Sequence, residues 1–331
     1  MTKTILVTGG AGYIGSVAVK RVCDKNFNVI VLDNLSKGKK FLVDERAKFY
    51  ETDLINKLEL EKIFQENQID IIMHFAGYKA VGESMTNPSK YSENITGTIN
   101  LLDLMIKYNV KKIIYSSSAA VYGKSESGIV TEESPTNPEN YYGFTKLICE
   151  NLIKWYSKLH NLNYVILRYF NVAGDGGLNY TDPNAENVLP IIIETLLGKR
   201  EKFLVYGKNY PTKDGTGIRD YIDVNDLIES HILSLNLPTN EIINLGTNKG
   251  FSVQELIDTT EKITGKKLNY EYKEQRKGDC AKLITSNSKA TNLLGWQPQK
   301  NIEDMIKSTY RAYCKNMAPT GFEPATPRLK V

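Results

Sequence analysis

Short apolar runs alternate with stretches of helical periodicity through the first half of the chain. Ile5–Val7 reads as a buried strand, and an apolar-periodic helix opens near Tyr13. The next strand, Asn28–Leu32, ends in Asp33. It is followed by Lys48–Tyr50 as a strand, Leu58–Phe64 as a helix and Ile69–Phe75 as a buried strand. A long helix follows Pro88 with Ile99, Leu102 and Ile106 on one face. Lys112–Ser116 is again strand. Tyr141–Leu159 is a helix whose apolar stripe, Phe144, Ile148, Trp155 and Leu159, reads as core packing, and Tyr164–Phe170 is a further strand. This repeated order implies right-handed crossovers and a mostly parallel sheet covered on both faces.

After Asn171 the pattern changes. Val172–Asn187 is rich in Gly, Asn, Asp and Pro and reads as a long functional loop. Ser252-Val-Gln-Glu255 is a capping box opening a helix that Gly265 stops. Asn301–Tyr313 places Ile302, Met305, Ile306, Tyr310 and Tyr313 on one helical face. Beyond it, 316–331 is punctuated by Pro319, Pro324 and Pro327 and is expected to be disordered. The fold class that follows is α/β: a Rossmann-type doubly wound parallel sheet with a smaller mixed α/β domain.

Composition narrows the function. The 331 residues carry a net charge of +4, spread without a basic block, which argues against nucleic acid as a partner. Cys23, Cys149, Cys280 and Cys314 lack C-x-x-C spacing and read as reduced thiols of a cytoplasmic protein. His74, His160 and His231 are too dispersed for an evident metal cluster. No apolar run is long enough to span a bilayer, and nothing near Met1 resembles a signal peptide.

Chemistry enters at the first strand–helix junction. Gly10-Ala-Gly-Tyr-Ile-Gly15 satisfies G-x-G-x-x-G, with Gly9 and Gly12 making an overlapping glycine pattern. Glycines there let the backbone approach a pyrophosphate at a helix N-terminus. Such a pattern alone also fits plain turns; the strand before it, the helix after it and Asp33 at the end of the next strand supply the confirming context. A carboxylate at Asp33 suits ribose hydroxyls and repels a 2′-phosphate, so the expected cofactor is NAD rather than NADP; the plain alternative is a solvated loop aspartate. Tyr142-Gly-Phe-Thr-Lys146 sets a phenol and an ammonium on one helical face. A free phenol titrates near ~10, and a neighbouring ammonium is expected to lower that value. Ser118, at the end of the preceding strand, places a hydroxyl where it can bridge the phenol and a substrate.

These motifs resemble the UDP-hexose 4-epimerase group of the extended short-chain dehydrogenase/reductase family, from about Lys3 to Tyr313. The resemblance is carried by Val7–Gly15, Asp33-Asn-Leu35, His74-Phe-Ala-Gly77, Lys79–Ser84, Ser116–Gly123, Tyr142–Lys146, Arg168-Tyr-Phe-Asn171 and Tyr210–Ile222. It implies interconversion of UDP-glucose and UDP-galactose in galactose metabolism. The sugar is oxidised at C4 by tightly bound NAD to a 4-keto intermediate, which turns over and takes the hydride back on its other face. Tyr142 would be the base, Ser118 its relay, and Lys146 the group that tunes it and holds the nicotinamide ribose. Gly9, Gly12, Tyr13, Ile14, Gly15, Asp33, Asn34, Asp53, Leu54, Phe75, Ala76, Lys79, Asn94 and Phe170 match cofactor-contacting positions. Lys79, Asn171, Asn187, Val188, Leu204, Val205, Tyr206, Arg219, Arg276, Asp279 and Leu283 match positions that touch the UDP-sugar.

The implied domains are 1–172 with 216–247 for NAD, and 173–215 with 248–315 for the UDP-sugar. The resemblance also implies a homodimer through helices around Ile99–Ile106 and Lys146–Tyr156. Several residues depart from the family pattern. Tyr91–Gly97 is one residue shorter than the usual form, which bears on Asn94. Val17 and Asp223 replace common histidines. Leu283 occupies a gate position where some members carry tyrosine, leaving room for an N-acetyl group, so UDP-N-acetylglucosamine is a second expected substrate. A 4,6-dehydratase would place carboxylates where Ala119 and Ala120 stand. A non-catalytic NAD-binding regulator would lack the tyrosine or the lysine.

Overall fold

The computed structural model describes residues 2–125, 127–179, 181, 185–276 and 279–317. The first half runs β1 (Thr4–Thr8), α1 (Tyr13–Asp24), β2 (Asn28–Asp33), β3 (Lys48–Glu51), α2 (Lys57–Glu66), β4 (Ile71–His74), α3 (Val81–Thr86) and α4 (Pro88–Lys107). It continues through β5 (Lys112–Ser118), β6 (Ile129–Val130), α5 (Tyr141–His160) and β7 (Asn163–Tyr169). The second half runs β8 (Asn171–Ala173), α6 (Val188–Leu196), β9 (Phe203–Tyr206), β10 (Ile218–Asp223), α7 (Val224–Ser234) and β11 (Glu241–Leu245). Then come β12 (Gly250–Ser252), α8 (Val253–Thr264), β13 (Tyr270–Lys273), β14 (Lys282–Thr285), α9 (Ser288–Leu294) and α10 (Ile302–Lys315).

Seven strands form one parallel sheet in the order β11-β7-β5-β4-β1-β2-β3. The chain winds outward from β1 through β2 and β3, then returns to β4 and winds the other way. That reversal opens a crevice beyond the carboxyl ends of β1 and β4, the place where such sheets bind ligands. Both faces are covered because alternate residues of each strand point opposite ways. Ile5 and Val7 pack with Val19 and Val22 of α1 and Leu227 and Ile228 of α7. Leu6, between them, packs with Leu60 and Ile63 of α2, Leu101 and Met105 of α4 and Ile153 of α5.

The second unit is built on β10, flanked by β12 and β14, with β6 beyond β14 and β8 also pairing to β10. A two-stranded sheet joins β9 to β13. Under these strands α6, α8 and α10 close a third core around Leu189, Ile192, Leu256, Met305 and Ile306. The capping box of α8 is formed by Ser252 and Glu255, and Gly265 ends the helix in a left-handed conformation. Among the described residues no helix is long and apolar enough to cross a membrane.

Three expectations change. The stretch 216–247 is split: β11 and α7 serve the large sheet, but β10 is the centre of the small one, because Tyr221 to Asp223 pair with β8 and Ile218 with β14. The stripe on α5 is not core. Phe144, Trp155 and Leu159 are 42%, 58% and 67% exposed, and the buried face is Tyr142, Thr145, Lys146, Cys149, Glu150 and Ile153. Hydrophobic spacing alone cannot tell an inward face from an outward one. Finally, the loop after Asn171 begins with β8 and ends at Asn187, the N-cap of α6. Of that loop, 180 and 182–184 lie outside the described residues, as does the expected disorder of 316–331 from 318 onward. Asn316 follows α10 directly and donates its Nδ2 to the carbonyl of Asn179 at 2.6 Å.

Gly15 shows how closely β1 and α1 are joined. A Cβ there would lie 2.1 Å from the Gly9 carbonyl oxygen. Gly15→Ala is therefore expected to destabilise the chain by about 1–3 kcal/mol, read as a lowered denaturant midpoint; an unchanged midpoint would mean that the junction has slack.

Candidate active site

The glycine turn sits at the crevice. Gly9 has φ +71, and its amide donates to the Leu32 carbonyl at 2.7 Å, tying the turn to β2. A Cβ on Gly9 would stand 2.7 Å from the Ala76 nitrogen, so only glycine lets the turns after β1 and β4 approach this closely. Gly12 is the N-cap of α1 and offers no side-chain acceptor, which leaves the first-turn amides to a bound anion. Ile14 is half-buried against the core, and the Tyr13 hydroxyl donates to the Gly174 carbonyl.

Asp33 is buried at the end of β2. Its Oδ2 accepts from the Ala11 amide at 3.0 Å and its Oδ1 from the Leu35 amide at 2.9 Å. Burial pushes its carboxyl upward, and these two amides oppose that. Next to it, Asn34 donates to Asp53 at 2.6 Å, and Asp53 accepts from the Ile55 amide at 3.1 Å. Gly97 of α4 lies against Leu54. This polar acceptor corner, beside a cradle that a Cβ would fill, fits a dinucleotide with free ribose hydroxyls.

Across the crevice Phe75 stacks on His231 at 4.8 Å, and Lys79 is exposed. Asn94 clamps the backbone of Tyr78, accepting from its amide at 2.8 Å and donating to its carbonyl at 3.1 Å. It also reaches the Thr145 hydroxyl at 3.4 Å. The shortened Tyr91–Gly97 segment thus still brings Asn94 beside the helix that carries Lys146.

The reactive set lies where β5 ends and α5 begins. The Ser84 hydroxyl accepts from the Tyr142 amide at 3.1 Å, and Ser118 accepts from the Ala120 amide at 3.2 Å. Lys146 is 5% exposed; its Nζ donates to the Ser116 carbonyl at 2.8 Å and lies 4.9 Å from the Tyr115 ring and 6.0 Å from the Tyr142 ring. Burial drives the Lys146 ammonium down to about 8. Burial also pushes the Tyr142 phenol up, and the nearby Ser118 hydroxyl opposes that. This corrects the expectation that the lysine by itself lowers the phenol: its ammonium is spent on the Ser116 carbonyl.

On the far side of the crevice, Arg219 of β10 donates to the Ile218 carbonyl at 2.9 Å, and the Arg276 guanidinium lies 3.9 Å over the Tyr206 ring. The Asp279 amide donates to the Arg276 carbonyl at 3.2 Å. Burial and Asp279 push the Tyr210 phenol up while Arg219 and Arg276 oppose them. Asn171 donates to the Asp220 carbonyl at 3.1 Å, Asn187 caps α6, and Val188 starts it. Leu204 is half-buried in β9. Val205 is 1% exposed in the third core, so its side chain is closed to any ligand. Phe170, Ala119 and Tyr122 form a small cluster against which Leu283 packs, and Leu283 stands in register with Arg219.

Two residues at the site lie in the motifs Lys79–Ser84 and Tyr210–Ile222 but were given no role by the sequence reading. Ser84 pins Tyr142, and Tyr210 stands near the arginines; a serine in a polar stretch and one tyrosine among twenty give no periodic or spacing signal. Val17 is core, and Asp223 caps α7, accepting from the Asn225 amide at 2.8 Å. Among the described residues no group of three or more His, Cys, Asp or Glu side chains is placed to hold a metal ion.

A family model described as the NAD dependent epimerase/dehydratase family matches residues 5–246. The chain is 41% identical over 330 residues to the UDP-glucose 4-epimerase of Bacillus subtilis, covering 95% of this chain and 97% of that protein. A Bifidobacterium longum UDP-glucose 4-epimerase solved with NAD+ and UDP is similar with TM-score 0.89 and 38% identity, covering 95% of this chain and 99% of that one. A UDP-Glc/GlcNAc 4-epimerase from Campylobacter jejuni is similar with TM-score 0.84 and 37% identity, covering 95% and 99%.

Two buried histidines make the site acid-sensitive. His74, bonded to Thr8 at 2.7 Å and Thr98 at 3.2 Å, is held down to about 3, and His231, facing Ser116 at 3.1 Å, to about 4; burial is the main cause in both. Unfolded histidines take up protons near pH ~6.5, while the folded ones stay neutral. Stability is thus full above about pH 6.5 and is lost as pH falls toward the shifted values, by about 1.4 kcal/mol per pH unit per histidine. Denaturant midpoints measured from pH 7 to 4.5 are expected to fall less steeply in His231→Gln than in the unmutated chain; equal slopes would place His231 in a solvated setting.

Proposed function

The chain belongs to the NAD dependent epimerase/dehydratase family, and from that premise we propose that it interconverts UDP-glucose and UDP-galactose by epimerisation at C4. The observation that carries this reading is the buried pair Tyr142 and Lys146 with the half-buried Ser118 beside them, at the crevice next to the glycine cradle. Tyr142 takes the proton of the sugar 4-hydroxyl and returns it, with Ser118 positioning the sugar and relaying that proton. NAD, when bound, supplies reversible hydride removal at C4, leaving a 4-keto sugar. Gly9, Gly12, Gly15 and Asp33 hold its pyrophosphate and ribose, and Lys146 holds the ribose nearer the reaction. Arg219 and Arg276 suit a diphosphate by charge and shape, so the nucleotide stays anchored while the sugar turns.

UDP-N-acetylglucosamine is a second reading, favoured by Leu283. A branched aliphatic group at that position leaves more room than an aromatic ring, and the Campylobacter jejuni neighbour, by its name, acts on both sugars. A pocket change of this size is worth only about 1–3 kcal/mol.

We assign cofactor binding to the seven-stranded unit and sugar-nucleotide binding to the β9 and β10 sheets. We also propose a homodimer through α4 and α5. The exposed Phe144, Trp155 and Leu159 give α5 an apolar outer face, and Met85 of α3, which accepts a hydrogen bond from the Tyr141 amide, extends it. The four free cysteines accord with a reducing cytoplasm.

Incubation of the purified protein with UDP-galactose and no added NAD tests the activity. UDP-glucose is the expected product; a deoxy-keto sugar would indicate a dehydratase, and unchanged substrate a regulator. Tyr142→Phe should lower kcat by about 10²–10⁴-fold with NAD retained, and undiminished turnover would remove Tyr142 as the base. For assembly, Trp155→Glu is expected to give monomers by light scattering, whereas an unchanged dimer mass would move the interface elsewhere.

A further inference from the structure

One turn beyond Lys146, the helix that carries it presents a buried carboxylate that the chemistry above does not use. Glu150 is 0% exposed and Arg168, on β7, 3%. The guanidinium grips the carboxylate twice, Nε to Oε1 at 2.9 Å and Nη2 to Oε2 at 2.6 Å. Oε1 also accepts from the Ser117 hydroxyl at 2.5 Å. The remaining arm, Nη1, donates to the Tyr122 hydroxyl at 3.0 Å, which donates in turn to Asn244 Oδ1 at 2.6 Å.

These bonds attach the pair to every flank of the reactive trio. Ser117 lies between Ser116, whose carbonyl receives Lys146, and Ser118. Tyr122 follows the short turn that Ser118 caps, and Glu150 is on the same helical face as Tyr142 and Lys146. Stability is a poor reason for such a pair, since apolar replacements of buried ion pairs are often neutral or stabilising.

We propose that Glu150 and Arg168 form a positioning unit for the epimerase site: they hold α5 in register against the strand end bearing Ser118 and fix a negative charge one turn behind the Lys146 ammonium. This rests on the reading of the site given above. The groups facing Lys146 are His74 of β4, Tyr115 and Ser116 of β5, and Tyr142, Cys149 and Glu150 of its own helix. Tyr169 of β7 and His231 of α7 close on the same Ser116. Burial holds both histidines neutral and pushes the Cys149 thiol and the Tyr115 and Tyr169 phenols up. Among the described residues facing Lys146, Glu150 therefore supplies the negative charge. Its removal disfavours the ammonium, so Lys146 loses its proton at lower pH and the alkaline limb of kcat moves down.

The test compares the NAD-loaded unmutated protein with Glu150→Gln, Glu150→Asp and Glu150→Gln/Arg168→Met, following UDP-galactose turnover from pH 6 to 10 and counting active molecules by bound NAD. Glu150→Gln is expected to lower kcat by about 10–100-fold with KM within about threefold, and to shift the alkaline limb down by about one pH unit. The double variant, which leaves no uncompensated arginine, should fold where the single one fails and show a smaller downward shift, because the Arg168 charge is lost with the carboxylate. Glu150→Asp, which keeps the charge but not the reach, should lower kcat and leave the limb in place. Variants that lose stability alone, with kcat per NAD-loaded molecule and the limb unchanged, would overturn the proposal. An unmutated chain inactive on UDP-galactose would overturn it together with the functional reading; an active one with an unaltered Glu150→Gln profile overturns this inference alone.

Discussion

A lysine ammonium withdrawn from water keeps its charge only where carbonyl oxygens and carboxylates replace the lost solvent. Lys146 is in that position. Its Nζ is held by the Ser116 carbonyl and lies near the Tyr115 and Tyr142 rings, and a buried carboxylate lies one turn away. For the bond to form, the end of β5 and the first turns of α5 must be in register. The same register sets Ser118, at the end of β5, near Tyr142, in the first turn of α5.

The rest of the molecule is arranged around that junction. Parallel strands put all their carboxyl ends on one edge, and the winding reversal between β1 and β4 leaves that edge open beside β5. The glycine turn after β1 and the Asn94 clamp on Tyr78 shape the wall where a dinucleotide fits. The small sheet supplies the opposite wall. β10 reaches it directly from the loop carrying Tyr210 and places Arg219 next to Leu283, and the Phe170 cluster joins the two units. Electrostatics divides accordingly, with the carboxylates of Asp33 and Asp53 at one end of the crevice and two arginines at the other.

Much of this could be read from the chain. Short apolar runs and the 3.6-residue period placed β1, β2, β3, α1, α2, α4, α5 and α10 within a few residues, because buried strands are apolar on both faces and each helix buries one face against a core. Tyr142, Lys146, Ser118 and Asp33 were singled out through local spacing on one helix or one strand end, and the structure sets Tyr142, Lys146 and Ser118 at one junction of β5 and α5. Partnerships between distant segments were harder. The pairing of β10 with β8 and β14 depends on contacts that leave no mark on the spacing of residues 216–247. The outward face of α5 carries the same apolar period as an inward one. The role of Ser84 depends on a contact across 58 positions, and the solvent cost that sets the direction of the Tyr142 shift appears only once its surroundings are packed.

The balance of charge and burial at Tyr142 can be measured directly by tyrosinate absorbance against pH, taken as the difference between the unmutated protein and Tyr142→Phe, with NAD removed and with NAD restored. With NAD removed, the Tyr142 step should lie above the ordinary phenol range, because burial outweighs the Ser118 hydroxyl. With the positively charged oxidised cofactor restored, the step should move down. A step already below the ordinary range without NAD, or one that NAD does not move, would contradict the assignment of Tyr142 as a base made ready by its buried surroundings.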